Sequence, residues 1–317
     1  MIGKNHTTVY YREMQETEKK LNERPKILAV IGQTASGKSD LAVVLAKKFN
    51  GEVVSADSRQ VYRRMNIGTG KITKKEMRSV PHYLLDVIDP QSTFTVARYK
   101  KHAEKAIHGI LRRGKLPILC GGTGYYVQTI TGGTNIPSVK PNTALRKRLE
   151  YAGTPELFAI LKRLDPRRAG EIDQHNRRRL VRAIEIVNYL GVVPLIENTP
   201  RYDVLSIGIK TNDQILKEKI ATRLHARIRH GMIAEAKRLH DDGVSWKRME
   251  EIGLEYKHLA LHLQGKLSRE EMERQLTAAI WQYAKRQKTW FKRDKTIHWI
   301  NAKEIKEVEQ LVKGFLK

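Results

Sequence analysis

The sequence predicts an α/β protein: a parallel sheet flanked by helices, interrupted by an all-helical insertion. Three observations predict it. Short apolar runs at Ile27 to Ile31, Val53 to Val54, Tyr83 to Ile88, Leu116 to Cys120, Leu205 to Ile209 and Thr296 to Ile300 read as strands. Helical patterns separate most of them, and strands alternating with helices build a parallel, doubly wound sheet. Between Asn142 and Pro200 the strand signal stops and apolar residues recur only at helical spacing.

In chain order, residues 1–25 form a polar, charge-rich extension, expected as a loose helix or a disordered arm. The first strand runs into Gly32-Gln33-Thr34-Ala35-Ser36-Gly37-Lys38-Ser39, and a helical pattern from Leu41 to Phe49 follows. This GxxxxGK[ST] run sits in its confirming context of strand, loop and helix, which makes the core P-loop NTPase-like. Glycines let backbone N–H groups curl round phosphate oxygens, and the following helix points its positive end at them. Lys38 adds a mobile charge, and the Ser39 hydroxyl is placed to complete a Mg²⁺ shell. Phosphate-binding candidates are therefore Gly32, Thr34, Ala35, Ser36, Gly37, Lys38 and Ser39, with Ser39 as the metal candidate.

The second strand ends in Ser55-Ala56-Asp57-Ser58-Arg59-Gln60, which places Asp57 at the carboxyl edge of the sheet. Open α/β folds put their ligands at that edge. An acid there is a base, a magnesium ligand or a cap. A helix is expected from about Thr95 to Arg112-Arg113-Gly114, and the strand at Leu116 then runs into Gly121-Gly122-Thr123-Gly124. Those glycines can admit a ligand close to backbone, and a tight strand–helix turn explains them equally well.

The segment from Thr131 to Pro141 reads as a linker, so the expected organisation is a catalytic core over 26–141 and 201–317, with an insertion over 142–200. In the insertion, Leu157, Ile160, Leu161 and Leu164 form one apolar stripe, and Leu180, Ala183, Ile184 and Val187 another. Arg177, Arg178 and Arg179 open the second helix, with Arg182 one turn on from Arg178. Such a cluster suits a phosphate backbone, and a solvated charged face is its plainer reading. A helix from Asp213 to His230 is expected to bury Ile215, Ile220 and Leu224. Another, from Glu270 to Arg293, interleaves Trp281, Tyr283, Trp290 and Phe291 with lysines and arginines, a pattern that suits unpaired bases or a core.

Composition narrows the function. The 317 residues carry 60 Lys plus Arg against 34 Asp plus Glu, a net charge of +26, which predicts attraction to a polyanion. A single cysteine, Cys120, excludes an internal disulfide and any multi-cysteine zinc module. No apolar run approaches the roughly 20 residues of a membrane span, and no signal-peptide pattern opens the chain. The expected compartment is the cytoplasm.

Together these pieces resemble the tRNA dimethylallyltransferase, or tRNA isopentenyltransferase, family of the bacterial type. The matching blocks are GQTASGKS (Gly32 to Ser39), SADSRQVYRRMNIGTGK (Ser55 to Lys71), GGTGYY (Gly121 to Tyr126), Arg177 to Glu185, and YAKRQKTWF (Tyr283 to Phe291). The resemblance implies transfer of a dimethylallyl group from dimethylallyl diphosphate to N6 of the adenosine just 3′ of the tRNA anticodon, by a Mg²⁺-dependent monomer. It makes the phosphate compound of the Gly32 to Ser39 loop a diphosphate, and it implies Asp57 as the base, with Lys38, Thr123 and Arg223 as catalytic partners on that diphosphate. It puts Asp57, Ser58, Arg59, Gln60, Gly121, Gly122 and Thr123 near the target base. It gives Arg177, Arg178 and Arg182 to the anticodon stem. This chain departs from the family at Gln33, where a proline is usual, at Lys219, where an arginine is common, and at Asp173-Gln174-His175-Asn176 before the arginines. A P-loop small-molecule kinase would share the motif but has no need of +26 or an arginine-rich insertion. An adenylate isopentenyltransferase would share the chemistry with free AMP, ADP or ATP as acceptor. A non-enzymatic RNA-binding module leaves the P-loop unexplained.

Overall fold

The computed structural model describes residues 24–195, 197–301 and 304–317; the expected extension over 1–25 lies almost wholly outside them. Six strands form one sheet: β1 (Lys26–Gly32), β2 (Gly51–Ser55), β3 (His82–Tyr83), β4 (Leu116–Gly121), β5 (Asp203–Lys210) and β6 (His298–Asn301). Their order is β3-β2-β4-β1-β5-β6, and every pair is parallel. Alternate residues of the central strands face opposite layers. Ile27, Ala29, Ile31, Val54 and Leu119 join one core cluster, while Leu28, Val30, Val53, Ile118 and Cys120 join the other. Strands buried on both faces read as continuous apolar runs, which is why β1 and β4 were legible.

The second cluster is covered by α1 (Lys38–Lys48) and by the C-terminal helix 305–316. The first is covered by helices that include α3 (Val96–Arg112), α4 (Gly124–Thr131), α9 (Asp213–Arg229), α10 (Met232–Asp241), α12 (Leu254–Leu263) and α13 (Arg269–Phe291). The shorter α2 (Lys74–Met77) and α11 (Trp246–Ile252) fall between them in the chain. Thr95 caps α3, its side chain accepting from Arg98 N–H.

Two expectations are corrected. The apolar run Tyr83 to Ile88 is not a strand: pairing with β2 stops at Tyr83, and Leu84 and Asp86 adopt positive φ of 64° and 54°. The segment turns instead onto the loop after β2, where Val87 N–H donates to Val61 O at 2.8 Å and Lys71 Nζ bonds Asp86 at 2.6 Å. On α9 the buried row is Leu216, Ile220, Leu224 and Ile228, an i, i+4 series, and Ile215 is 49% exposed.

A second compact unit, Thr134–Thr199, has its own core. It holds α5 (Thr143–Glu150), α6 (Thr154–Leu164), α7 (Pro166–Glu171) and α8 (Arg177–Leu190). It takes in the segment from 134 to 141 that reads as linker, because Val139 is buried in its core and Thr134 bridges Asn198 across the two chain crossings. On the first apolar stripe Leu157 and Leu161 are fully buried, whereas Leu164 is 40% exposed. The fully buried Glu185 side chain knits the unit: both its oxygens meet the Arg146 guanidinium at 2.7 Å, and it also accepts from Asn142 N–H and Arg182.

Away from the carboxyl edge of the sheet, Glu52 sits buried at the start of β2 and bonds Arg113, Lys115 and Tyr83. Burial alone raises a carboxyl pKa, but these three donors overcome it and hold Glu52 at about 2. The folded value lies below the unfolded one, so the stabilisation is present above the ordinary glutamate range and fades as pH falls toward 2. Glu52→Gln is expected to destabilise the fold by about 1 kcal/mol at neutral pH, since the buried carboxylate loses its charge while its partners Arg113 and Lys115 keep access to water. Thermal melts of both proteins across the acid range check this, and the difference should shrink toward pH 2.

Candidate active site

Three adjacent strands, β2, β4 and β1, end at the same edge, and their loops converge on one cavity of about 640 Å³. After β1, the chain passes through Ala35 at φ 61° and Gly37 at φ 94°, left-handed positions that curl the loop before α1 begins. Nothing lies within 4 Å of a Cβ built on Gly37, so it is the left-handed backbone, not crowding, that requires glycine there. Lys38 and Ser39 follow on the first turn of α1 and line the cavity, as do Thr34 and Ala35. Ser36 Oγ is buried in the loop with no hydrogen-bond partner among the described residues.

Lys38 Nζ donates to Gln33 O at 3.3 Å. Burial lowers its pKa, and the neighbouring Arg223 charge adds to this, while Asp57 pulls the other way. The cavity thus sets Lys38 and Arg223 near Asp57, which shares the lining with two further carboxylates, Glu76 and Glu255. Cys120, on the cavity wall, is held as a neutral thiol, since burial pushes it up to about 11. It is a small wall residue and no nucleophile.

After β2, Asp57 lines the same cavity, and its Oδ1 accepts from the N–H groups of Arg59 at 2.8 Å and Gln60 at 3.4 Å. The acid is a cap and a cavity carboxylate at once: one oxygen shapes the turn, and Oδ2 is left for a ligand. Gln60 faces this cavity. Arg59 instead lines a second groove of about 440 Å³ with Lys257, His258, Tyr283 and Arg286. Ser58 N–H donates to Thr123 Oγ1 at 3.0 Å, tying the β2 turn to the turn after β4. Tyr283 hydrogen-bonds with Thr123, and burial together with the Asp57 charge pushes its hydroxyl up to about 12. Arg223, on α9, is exposed at the cavity, with no hydrogen bond or ion pair among the described residues.

Sequence reading missed the far wall. Glu235, buried on α10, accepts from three successive amides, Asn66, Ile67 and Gly68, at 2.8–2.9 Å, and from Tyr256 Oη at 2.6 Å. Arg227 Nη1 holds Gly68 O at 2.9 Å. This fixes the loop from Asn66 to Thr73 as the second side of the cavity. A Cβ on Gly68 would lie 2.7 Å from Tyr256, so the loop packs there only as glycine.

In the second unit the arginine cluster divides. The Arg177 guanidinium donates to the carbonyls of Leu149, Glu150 and Ala152, closing the C-terminal end of α5. Arg182 bonds Glu185 and Val139 O. Arg178 and Arg179 remain exposed.

Residues 60–294 match the IPP transferase family. The chain belongs to that family. Its relatives include tRNA dimethylallyltransferase 1 of Geotalea daltonii, 43% identical over 279 residues, covering 87% of this chain and 90% of the relative. Among solved structures, the full-length tRNA isopentenylpyrophosphate transferase of Bacillus halodurans aligns at 35% identity and TM-score 0.71, covering 92% of this chain and 97% of that one. A eukaryotic dimethylallyltransferase captured acting on tRNA aligns at 27% identity and TM-score 0.78, covering 88% and 74%. The family match begins at Gln60, after the phosphate loop and Asp57, and spans the glycine turn, the second unit and α13, so the likeness does not rest on a phosphate loop.

Proposed function

We propose that this chain transfers a dimethylallyl group from dimethylallyl diphosphate to N6 of the adenosine 3′-adjacent to the anticodon in tRNA. The observation that carries the reading is the convergence of the phosphate loop, Asp57 and Arg223 on one cavity in a chain of this family. The C–O bond between the allylic carbon and diphosphate breaks, and the diphosphate leaves with the electron pair. A C–N bond forms to N6, whose proton passes to Asp57. Charge grows on the leaving oxygens, and Lys38 and Arg223, both lining the cavity, would stabilise it together with the positive end of α1. The adenine amino group is a weak nucleophile, so a carboxylate within hydrogen-bond reach assists it as the bond forms.

Mg²⁺ fits this site as a cation shared with the substrate. Such an ion is commonly held by one or two protein oxygens plus phosphates and water, and the Ser39 hydroxyl on the cavity wall offers one. Bound there, it would neutralise charge on the diphosphate. In this reading Thr123, tied to Ser58 N–H, orients the leaving group through the turn it braces, Gln60 meets the acceptor base in the cavity, and Arg59 contacts RNA from the second groove. The target base must leave the anticodon-loop stack, at a cost of a few kcal/mol that protein contacts offset.

For RNA binding the net charge of +26 supplies a general attraction, and Arg178 and Arg179 supply a local grip on the anticodon stem. Arg178→Ala plus Arg179→Ala is expected to flatten the slope of log affinity against log salt by up to about two phosphate contacts, with diphosphate affinity unchanged. An unchanged slope would assign the pair to a solvated face. Arg177→Ala should instead destabilise the second unit by about 2 kcal/mol, because it frees carbonyls at a helix end. The function itself is tested by offering labelled dimethylallyl diphosphate with an anticodon stem-loop or with AMP. Label on the RNA alone supports the reading, and label on AMP alone would replace it with a free-nucleotide prenyltransferase.

A further inference from the structure

Gln287, on α13, is only 5% exposed, and both ends of its carboxamide are used. Its Oε1 accepts from Thr34 N–H at 2.8 Å, and its Nε2 donates to Gly122 O at 2.8 Å. One turn earlier on the same helix, Ala284 O accepts from Gln33 Nε2 at 3.1 Å. A helix amide therefore holds the phosphate loop, and a loop amide holds the helix. The glycine turn is shaped to this approach: a Cβ on Gly122 would lie 2.2 Å from Gln287 Nε2, and one on Gly124 2.3 Å from Trp290. Of the glycines in that turn, Gly121 borders the cavity, while Gly122 and Gly124 make room for α13.

We propose that Gln287 is a positioning residue for group transfer, clasping the phosphate loop and the Gly121–Gly124 turn to one helix so that Lys38 and Thr123 stand in register before substrate binds. This rests on the diphosphate assignment above. The chemistry demands a carboxamide: the site needs an acceptor for Thr34 N–H and a donor to Gly122 O on one short, buried side chain. Removing it leaves two buried backbone groups unpaired, which the loop relieves only by moving. Gln33 adds a third bond to the same clasp.

The test compares wild type with Gln287→Leu and Gln33→Leu, using inorganic pyrophosphate with Mg²⁺ and an anticodon stem-loop as separate binding probes. Gln287→Leu is expected to weaken pyrophosphate binding about tenfold and lower kcat by a similar factor, with RNA affinity within about twofold of wild type. Gln33→Leu should shift both in the same direction by about threefold. In wild type, hydrogen exchange at the Thr34 amide should be slow, and Gln287→Leu should speed it selectively. Should Gln287→Leu not fold, the wild-type exchange rate and Gln33→Leu decide. A rapidly exchanging Thr34 amide would overturn the clasp. So would variants that melt earlier yet keep wild-type pyrophosphate affinity and kcat, since that is a structural role alone. A wild-type chain that binds no pyrophosphate would contradict the diphosphate assignment, and the exchange measurement would still judge the clasp.

Discussion

Asp57→Asn is expected to lower turnover by about 10²–10⁴-fold, the usual worth of a positioned general base, while both substrates still bind. Asparagine is the informative replacement because Oδ1 also holds the Arg59 and Gln60 amides. The amide oxygen can keep accepting those bonds, so the turn survives and only the proton acceptor is lost. Asp57→Ala removes both, and it should additionally weaken RNA binding as Arg59 loses its fixed origin beside the second groove. Single-turnover rates with each variant, alongside separate RNA and pyrophosphate affinities, distinguish the two effects. Near wild-type turnover in Asp57→Asn would remove this carboxylate from the mechanism.

Lys38→Ala is expected to cost about 10²–10³-fold in kcat and to weaken diphosphate binding as well, because the charge it faces is present in the ground state and grows in the transition state. Its lowered pKa gives a further signature with a definite sign. The cation is the useful form, so diphosphate affinity should fall as pH rises through a value below the ordinary lysine range. Lys38→Ala should abolish that alkaline limb. Pyrophosphate titrations across the alkaline range measure it, and an identical limb in the variant would assign it to another group.

What was legible in the sequence was whatever is encoded locally. The strand at Ile27 to Ile31, the phosphate loop and the edge position of Asp57 each declare themselves within a few residues, through apolar runs and glycines at fixed spacing. The cavity's far wall does not. Glu235 meets the amides of residues 66–68 across 167–169 positions of sequence, and on its own helix it reads as one more charged residue. Gln287 is equally silent, because its partners Thr34 and Gly122 lie 253 and 165 positions away. Tyr83 to Ile88 misled for a related reason. Leu84 and Ile88 are buried, but in a segment bonded to the Gln60–Lys71 loop and not in a ladder, and periodicity cannot tell the two apart. Arg177 and Arg182 looked like their neighbours, yet their partners, the α5 carbonyls and Glu185, draw them inward.

The most direct measurement is the product itself: incubation of the chain with Mg²⁺, dimethylallyl diphosphate and unmodified tRNA, then nucleoside mass spectrometry with fragment mapping. The account predicts N6-isopentenyladenosine, formed at the adenosine immediately 3′ of the anticodon and absent with Asp57→Asn. Unmodified tRNA after incubation with folded, diphosphate-binding wild-type protein, or a prenyl group carried on free adenylate instead, would contradict it.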